Sequence, residues 1–202
     1  MKVFPNLKST TDKKNILKLL TDINKGVNSS QRKMSFKLGI SAGLANSYIK
    51  RCVSKGWVKI KSVPKKRYMY YLTPKGFLEK SKLTAEYLSS SFELYRNMRN
   101  ECHQILLDCK KKKIKKIYLS GQSELAEVLI LTAKELDIAF EGLFIFGSNK
   151  KDFFGVEVCN YLPIEKIDKI ILCDMKNSFK ALDYLKNSLN KDKIIVPKIL
   201  NI

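Results

Sequence analysis

The sequence predicts an α/β protein of two domains, an N-terminal helical module closed by two short strands and a C-terminal small parallel sheet, joined by a long helix. Three observations carry this prediction. The charge is lopsided: of 39 Lys+Arg and 19 Asp+Glu in 202 residues, 28 and 7 fall in residues 1–116, whereas 11 and 12 fall in residues 117–202. The first half shows amphipathic helical segments followed by two alternating apolar–polar runs. The second half alternates strand-like with helix-like segments, the order of a parallel sheet with crossover helices.

A strongly basic half beside a near-neutral one reads as a polyanion-binding module attached to something else, since a merely solubilising surface would be basic throughout. Nucleic acid is the leading polyanion: an anionic membrane is more often met by a basic amphipathic helix backed by Trp or Phe, and none is evident. Apolar runs are short, such as Val128 to Leu131, so no membrane span of about 20 residues is expected. The N-terminal Met1-Lys2-Val3-Phe4-Pro5 lacks the apolar stretch of a secretory signal. Five cysteines (Cys52, Cys102, Cys109, Cys159, Cys173) without C-x-x-C spacing point to reduced thiols and a cytoplasmic location.

Ser9, Thr10 and Thr11 open a helix whose Ile16, Leu17, Leu19, Leu20 and Ile23 recur at helical spacing until Lys25-Gly26. Ser29-Ser30 opens a short second helix over Gln31 to Leu38, stopped by Gly39. Ala42 to Lys55 forms a third, with Ala45, Ile49, Cys52 and Val53 as its apolar stripe and Gly56 at its C-terminal break. A short helix, a glycine turn and a third helix make a helix-turn-helix. Trp57 to Lys61 and Tyr68 to Leu72 then alternate around the basic, Pro-containing Ser62 to Arg67, two strands forming a wing. Thr73-Pro74-Lys75-Gly76 starts a fourth helix, or helix pair, running to about residue 109, with Pro in the first turn where its missing donor costs nothing. The expected organisation is a DNA-binding domain over 1–83, a helical connector over 84–113 and an α/β domain over 114–202.

The motifs Leu38-Gly39-Ile40-Ser41, Lys55-Gly56-Trp57-Val58-Lys59, Tyr71-Leu72-Thr73-Pro74-Lys75-Gly76 and Glu79-Lys80 resemble the winged helix of MarR-type regulators, above all the small regulators associated with exopolysaccharide gene clusters. The resemblance covers roughly residues 5 to 100 and implies duplex DNA binding, usually by a homodimer, with surface-polysaccharide genes as targets. The residues argue for a site independently. With Ala45, Ile49 and Val53 inward, Gly43, Ser47, Lys50 and Ser54 lie on the opposite face of the third helix, flanked by Asn46 and Arg51. Recognition helices enter the major groove by their N-terminal turns, which favours Gly43, Asn46, Ser47 and Lys50 for base edges. Ser30, Gln31 and Arg32 at the second helix's start suit backbone phosphates, and Lys65, Lys66 and Arg67 suit phosphates or a minor groove beside the wing.

Two clusters invite other readings. Lys110 to Lys113 with Lys115 and Lys116 could clamp phosphate, but also fits a solvated linker at a helix C-terminus, the preferred reading. Cys102 and Cys109 share a helical face near His103, yet tetrahedral zinc needs four ligands; buried thiols are expected and no metal.

In the second half, Lys116 to Leu119, Ile138 to Phe146, Ile167 to Cys173 and Lys193 to Val196 read as strands, Glu124 to Leu136 and Ser178 to Leu189 as helices, and the stretch with Val156-Glu157-Val158 as looped. This half resembles the Rossmann-like domains that precede sugar acyltransferases or belong to nucleotide-sugar enzymes. Their first turn commonly runs G-x-G-E-x-A; here it is Gly121-Gln122-Ser123-Glu124-Leu125-Ala126, with Ser123 where a glycine would let a pyrophosphate approach. The acidic residue expected after the second strand is replaced by Phe144-Ile145-Phe146-Gly147, and Asp152 lies too far on, so no dinucleotide cofactor is expected. Gly121, Gln122, Ser123 and Glu124 are the candidate contacts for a nucleotide sugar or another phosphorylated metabolite; a purely structural or dimerising role carries equal weight. The leading reading is a transcriptional regulator, not an enzyme. Its rivals are an enzyme or ligand-binding protein acting on a nucleotide sugar, with the winged helix as a protein-interaction module, and a winged helix used only for protein contacts. A single His and the absence of a nucleophile–base motif weigh against catalysis.

Overall fold

The computed structural model describes residues 10–26, 31–63 and 67–202. The chain forms two compact units, Met1–Phe92 and Glu93–Ile202. The first contains α1 (Thr10–Asn24), α2 (Gln31–Leu38), α3 (Ala42–Ser54), β1 (Val58–Val63), β2 (Arg67–Leu72) and the beginning of α4 (Pro74–Lys111). That order, three helices and an antiparallel ribbon pairing Val58 with Leu72 and Val63 with Arg67, is a winged helix.

Local chemistry sets these boundaries. Ser41 caps α3 by accepting from the Leu44 N–H at 3.3 Å. At the other end Gly56, at φ +72°, lets its N–H reach the Val53 carbonyl and that of Trp57 reach Cys52, so Trp57 folds back into the core. The Thr-Pro-Lys-Gly step has an equally specific cause. Thr73 Oγ1 donates to the Gly56 carbonyl at 2.6 Å and accepts from the Gly76 N–H at 3.0 Å, starting α4 against the root of the wing. A Cβ on Gly76 would lie 2.1 Å from the Trp57 carbonyl oxygen, so only glycine permits that approach. The core joins Ile16, Leu19, Leu20 and Ile23 of α1 to Met34, Ile49, Cys52, Trp57 and Leu83.

The second unit holds the rest of α4, which is one continuous helix, then β3 (Ile117–Ser120), α5 (Glu124–Glu135), β4 (Gly142–Phe144), β5 (Asp152–Phe153), β6 (Val156–Cys159), β7 (Lys169–Leu172), α6 (Ser178–Ser188) and β8 (Ile194–Ile195). Strand order is β5-β6-β4-β3-β7-β8; every neighbouring pair is parallel except the β5–β6 hairpin. Leu119, Leu143 and Ile171 face a core with Cys102, Leu106, Leu125 and Leu129, whereas Tyr118, Ile170 and Leu172 face Leu185 of α6 and Leu189 just beyond its end. The helices therefore cover opposite faces of the sheet. Two expectations are corrected. Ile138 to Phe146 is a strand only over Gly142–Phe144, its lead-in bonding back to α5 through the Ile138 N–H and the Ala133 carbonyl. The stretch around Val156 is not looped but supplies β5 and β6, and no α-helix connects β4 to β6.

Candidate nucleic-acid interface and sheet-edge cavity

On α3, Ala45, Tyr48, Ile49 and Cys52 are buried, leaving Gly43, Ser47, Lys50 and Ser54 exposed and Asn46 partly so. Tyr48 donates to Asp12 Oδ1 at 2.6 Å, tying α3 to α1; burial first, and then this bond, raise the Tyr48 pKa. Ser54 Oγ donates to the Arg51 carbonyl at 2.9 Å. Arg51 departs from expectation: placed beside the outward face by helical spacing, it is buried, at only 7% exposed.

At the start of α2, Arg32 is exposed, whereas Gln31 Nε2 donates to the Tyr70 hydroxyl at 3.2 Å and links α2 to β2. Ser30, Lys65 and Lys66 lie outside the described residues, as does the Arg67 side chain, its backbone pairing with Val63. The ribbon adds groups that sequence reasoning passed over: Lys59 and Lys61 are exposed on β1, and Tyr68 is exposed on β2. Their signal was the alternation used to assign the strand. The unit carries 20 Lys+Arg and 4 Asp+Glu over residues 1–92. Lys13 pairs with Glu86 at 2.9 Å and Lys37 with Asp22 at 2.8 Å. The first pairing, chiefly through the hydrogen bond, lowers the Glu86 pKa.

In the second unit the strand order reverses about β3, which puts the switch point at the carboxyl ends of β3 and β7. Gly121 follows β3 at φ +95°, and a Cβ there would lie 2.6 Å from Asp174 Cβ. The Cys173 N–H donates to the Ser120 carbonyl at 2.6 Å, and Ser123 Oγ donates to the Cys173 carbonyl while accepting from the Leu125 N–H. Asp174 Oδ1 accepts from the backbone N–H groups of Lys176 and Asn177 at 2.9 and 2.8 Å.

Beside this seam lies a cavity of about 590 Å³ lined by Gly121, Gln122, Phe144, Phe146, Asp174, Lys176, Lys180 and Tyr184, among others. Of the four turn residues singled out from sequence, Gly121 and Gln122 reach it, whereas Ser123 and Glu124 do not line it. Phe144 and Tyr184 stack with centroids 5.7 Å apart, and Phe146 meets Tyr184 edge-on at 6.3 Å. Cys102 and Cys109 lie in the core beside Leu106, and burial pushes the Cys102 thiol up to about 12. Among the described residues no three His, Cys, Asp or Glu side chains gather as a metal site, and no helix is long and apolar enough to cross a membrane.

No protein-family model and no curated protein matches the chain. Solved structures do. MepR, a transcription regulator of the Staphylococcus aureus multidrug efflux pump MepA, aligns with a TM-score of 0.39 at 12% identity, over 52% of this chain and 76% of MepR. Lactococcus lactis ZitR in complex with DNA aligns with a TM-score of 0.35 at 20% identity, over 56% of this chain and 80% of ZitR. PigF with SAH aligns with a TM-score of 0.35 at 11% identity, over 92% of this chain and 72% of PigF. At such scores and identities these likenesses are no guide to function, and the winged helix is read from the chain's own element order.

Proposed function

We propose that the protein is a duplex-DNA-binding transcriptional regulator whose N-terminal unit reads DNA through α3 and the wing, and whose C-terminal unit senses a phosphorylated metabolite, of which a nucleotide sugar is one kind. The observation that carries the reading is the exposed row Gly43, Ser47 and Lys50 on α3, in a unit with 20 basic against 4 acidic residues. Such a helix presents small and hydrogen-bonding side chains to base edges while the surrounding cations meet phosphates. The motif resemblance points the same way and adds the surface-polysaccharide or sugar-metabolism target and a homodimer, and the cysteine pattern adds a cytoplasmic setting. Large apolar residues exposed along α4, Leu88 and Phe92 among them, support self-association.

The proposal contains no catalytic step. Asp174 is the carboxylate in the sheet-edge cavity, with one oxygen held by two backbone N–H groups, and no nucleophile–base pair accompanies it. The deciding experiment recovers genomic fragments bound by the intact chain and repeats the recovery with Lys50→Ala. Enrichment of a shared sequence that Lys50→Ala weakens supports the reading; recovery of random fragments, or of none, removes it.

A further inference from the structure

The sheet of the second unit is laid out like a nucleotide-binding sheet, but the place where such sheets cradle a diphosphate is closed. The first turn is fastened to the β7–α6 loop by the Cys173–Ser120 and Ser123–Cys173 hydrogen bonds. The Gly121 N–H is committed to the Phe144 carbonyl at 2.9 Å and that of Leu125 to Ser123 Oγ. Glu124 and Glu127 in the first turn of α5 add negative charge where a phosphate would dock. An anion is therefore turned away from α5.

The opening lies instead on the α6 side. Phe144 is roofed by Tyr184 of α6, while Phe146 stands 82% exposed at the rim. The aromatic edge can take a planar ring on Phe146 and the free side of Tyr184. Lys176, in the loop before α6, and Lys180, in its first turn, are both exposed and line the same cavity. Asp174 answers to backbone N–H groups, and Gln122 Oε1 accepts from Lys150 Nζ at 3.0 Å, which leaves the Gln122 amide N–H groups as donors. Two lysines lining a cavity with an aromatic edge match a ligand with a planar ring and one dianionic phosphate. The volume suits a mononucleotide.

We propose that this cavity binds a nucleoside monophosphate, with the base on Phe146 and Tyr184 and the phosphate between Lys176 and Lys180. The inference deepens the sensor half of the proposed function and excludes dinucleotides from the closed turn. Its test is equilibrium binding of AMP and UMP to the full chain by calorimetry, with adenosine, uridine, inorganic phosphate and NAD as controls.

The expected result is saturable binding of at least one monophosphate with Kd below about 1 mM, with its nucleoside and phosphate alone weaker by about tenfold or more. Phe146→Ala and the double variant Lys176→Ala/Lys180→Ala should each weaken binding by about tenfold. All three side chains are exposed, so thermal unfolding should remain that of the wild type. Absence of monophosphate binding, binding unmoved by these variants, or NAD binding at least as tight overturns the inference. Duplex binding measured on the same samples separates the failures: a chain that binds duplex but no monophosphate sinks this inference alone, and the converse sinks the regulator.

Discussion

Gly43 sits on the exposed first turn of α3 with open space where a Cβ would begin, and its backbone is not in the left-handed region that would call for glycine. Packing therefore does not require it, and a helical glycine costs about 0.5–1 kcal/mol relative to alanine. Gly43→Ala should raise stability by about that amount while weakening duplex affinity, because the added methyl stands where α3 meets the groove; thermal melts and gel shifts on one preparation check both signs. A gain in stability with affinity untouched would place the groove elsewhere. The neighbours Lys50 and Arg51 should separate in the same way. Lys50 is exposed, so Lys50→Ala should leave the melting temperature unchanged and lower the slope of log affinity against log salt by about 1. Arg51 is buried, so Arg51→Ala should destabilise the fold by about 1–3 kcal/mol, and its loss of DNA binding should track unfolding. The thiols make a pH prediction. Burial pushes Cys52 and Cys102 from 9.0 up to about 12, so the fold favours their neutral forms. That contribution is complete below pH 9 and is lost as pH rises toward 12, so the melting temperature should fall across this window. Partly exposed Cys159 should be the first thiol to react with an aromatic disulfide in the native chain.

Along α4 every residue from Tyr87 to Asn97 is exposed, although Tyr87, Leu88, Phe92, Leu94 and Tyr95 are among them. Leu78, Ser81, Ala85, Leu88, Phe92 and Tyr95 alternate steps of three and four, the spacing that aligns one face of a helix with a like helix. Bare helical turns with so much apolar surface gain most from a second copy, which is what a two-half-site operator requires. Leu88→Glu with Phe92→Glu should convert a sedimenting dimer into a monomer of unchanged helical content and weaken duplex affinity. A wild-type chain that sediments as a monomer at high micromolar concentration would end the dimer reading. Elements of this kind were legible in sequence because caps and glycines mark their ends chemically: Ser41, Gly56 and Thr73-Pro74 sit where hydrogen bonds place them. The apolar run at Ile138 misled because periodicity cannot separate a buried strand from a lead-in that packs on the core, and Ile138 and Phe140 do pack on it. β5 and β6 were not legible because they are the arms of a tight hairpin turning at Phe154 and Gly155, both at positive φ, where Phe replaces the Asn or Asp that would signal such a turn. Lys176, Lys180 and Tyr184 became candidates only once the strand order placed α6 beside Phe144, information that no local pattern contains.

For the molecule as a whole, the decisive quantity is how its charge is divided between tasks. The largest lysine cluster, from Lys110 to Lys116, is engaged in ending a helix and starting a sheet. Lys113, at φ +53°, is the left-handed residue that lets its N–H reach the Lys110 carbonyl and the Ile114 N–H reach Cys109. Lys110 Nζ donates to the Leu136 carbonyl at 2.7 Å. The Lys116 N–H, and then that of Lys115, donate to Asp168, holding its carboxyl below its ordinary pKa and fixing the chain as it enters β3. These contacts are mostly backbone ones, and the side chains of Lys111, Lys112 and Lys115 stay exposed. Counterion release offers a direct discrimination, because each phosphate contact adds about 0.9 to the salt slope of duplex binding. Changing Lys111, Lys112 and Lys115 to Gln should leave the slope measured for the full chain unaltered, whereas changing Lys50, Lys59 and Lys61 should flatten it by about 1 for each contact removed. If the first triple variant flattens the slope as much as the second, the lysine run touches DNA and the recognition surface extends beyond the winged helix. If neither does, the N-terminal charge serves something other than a duplex.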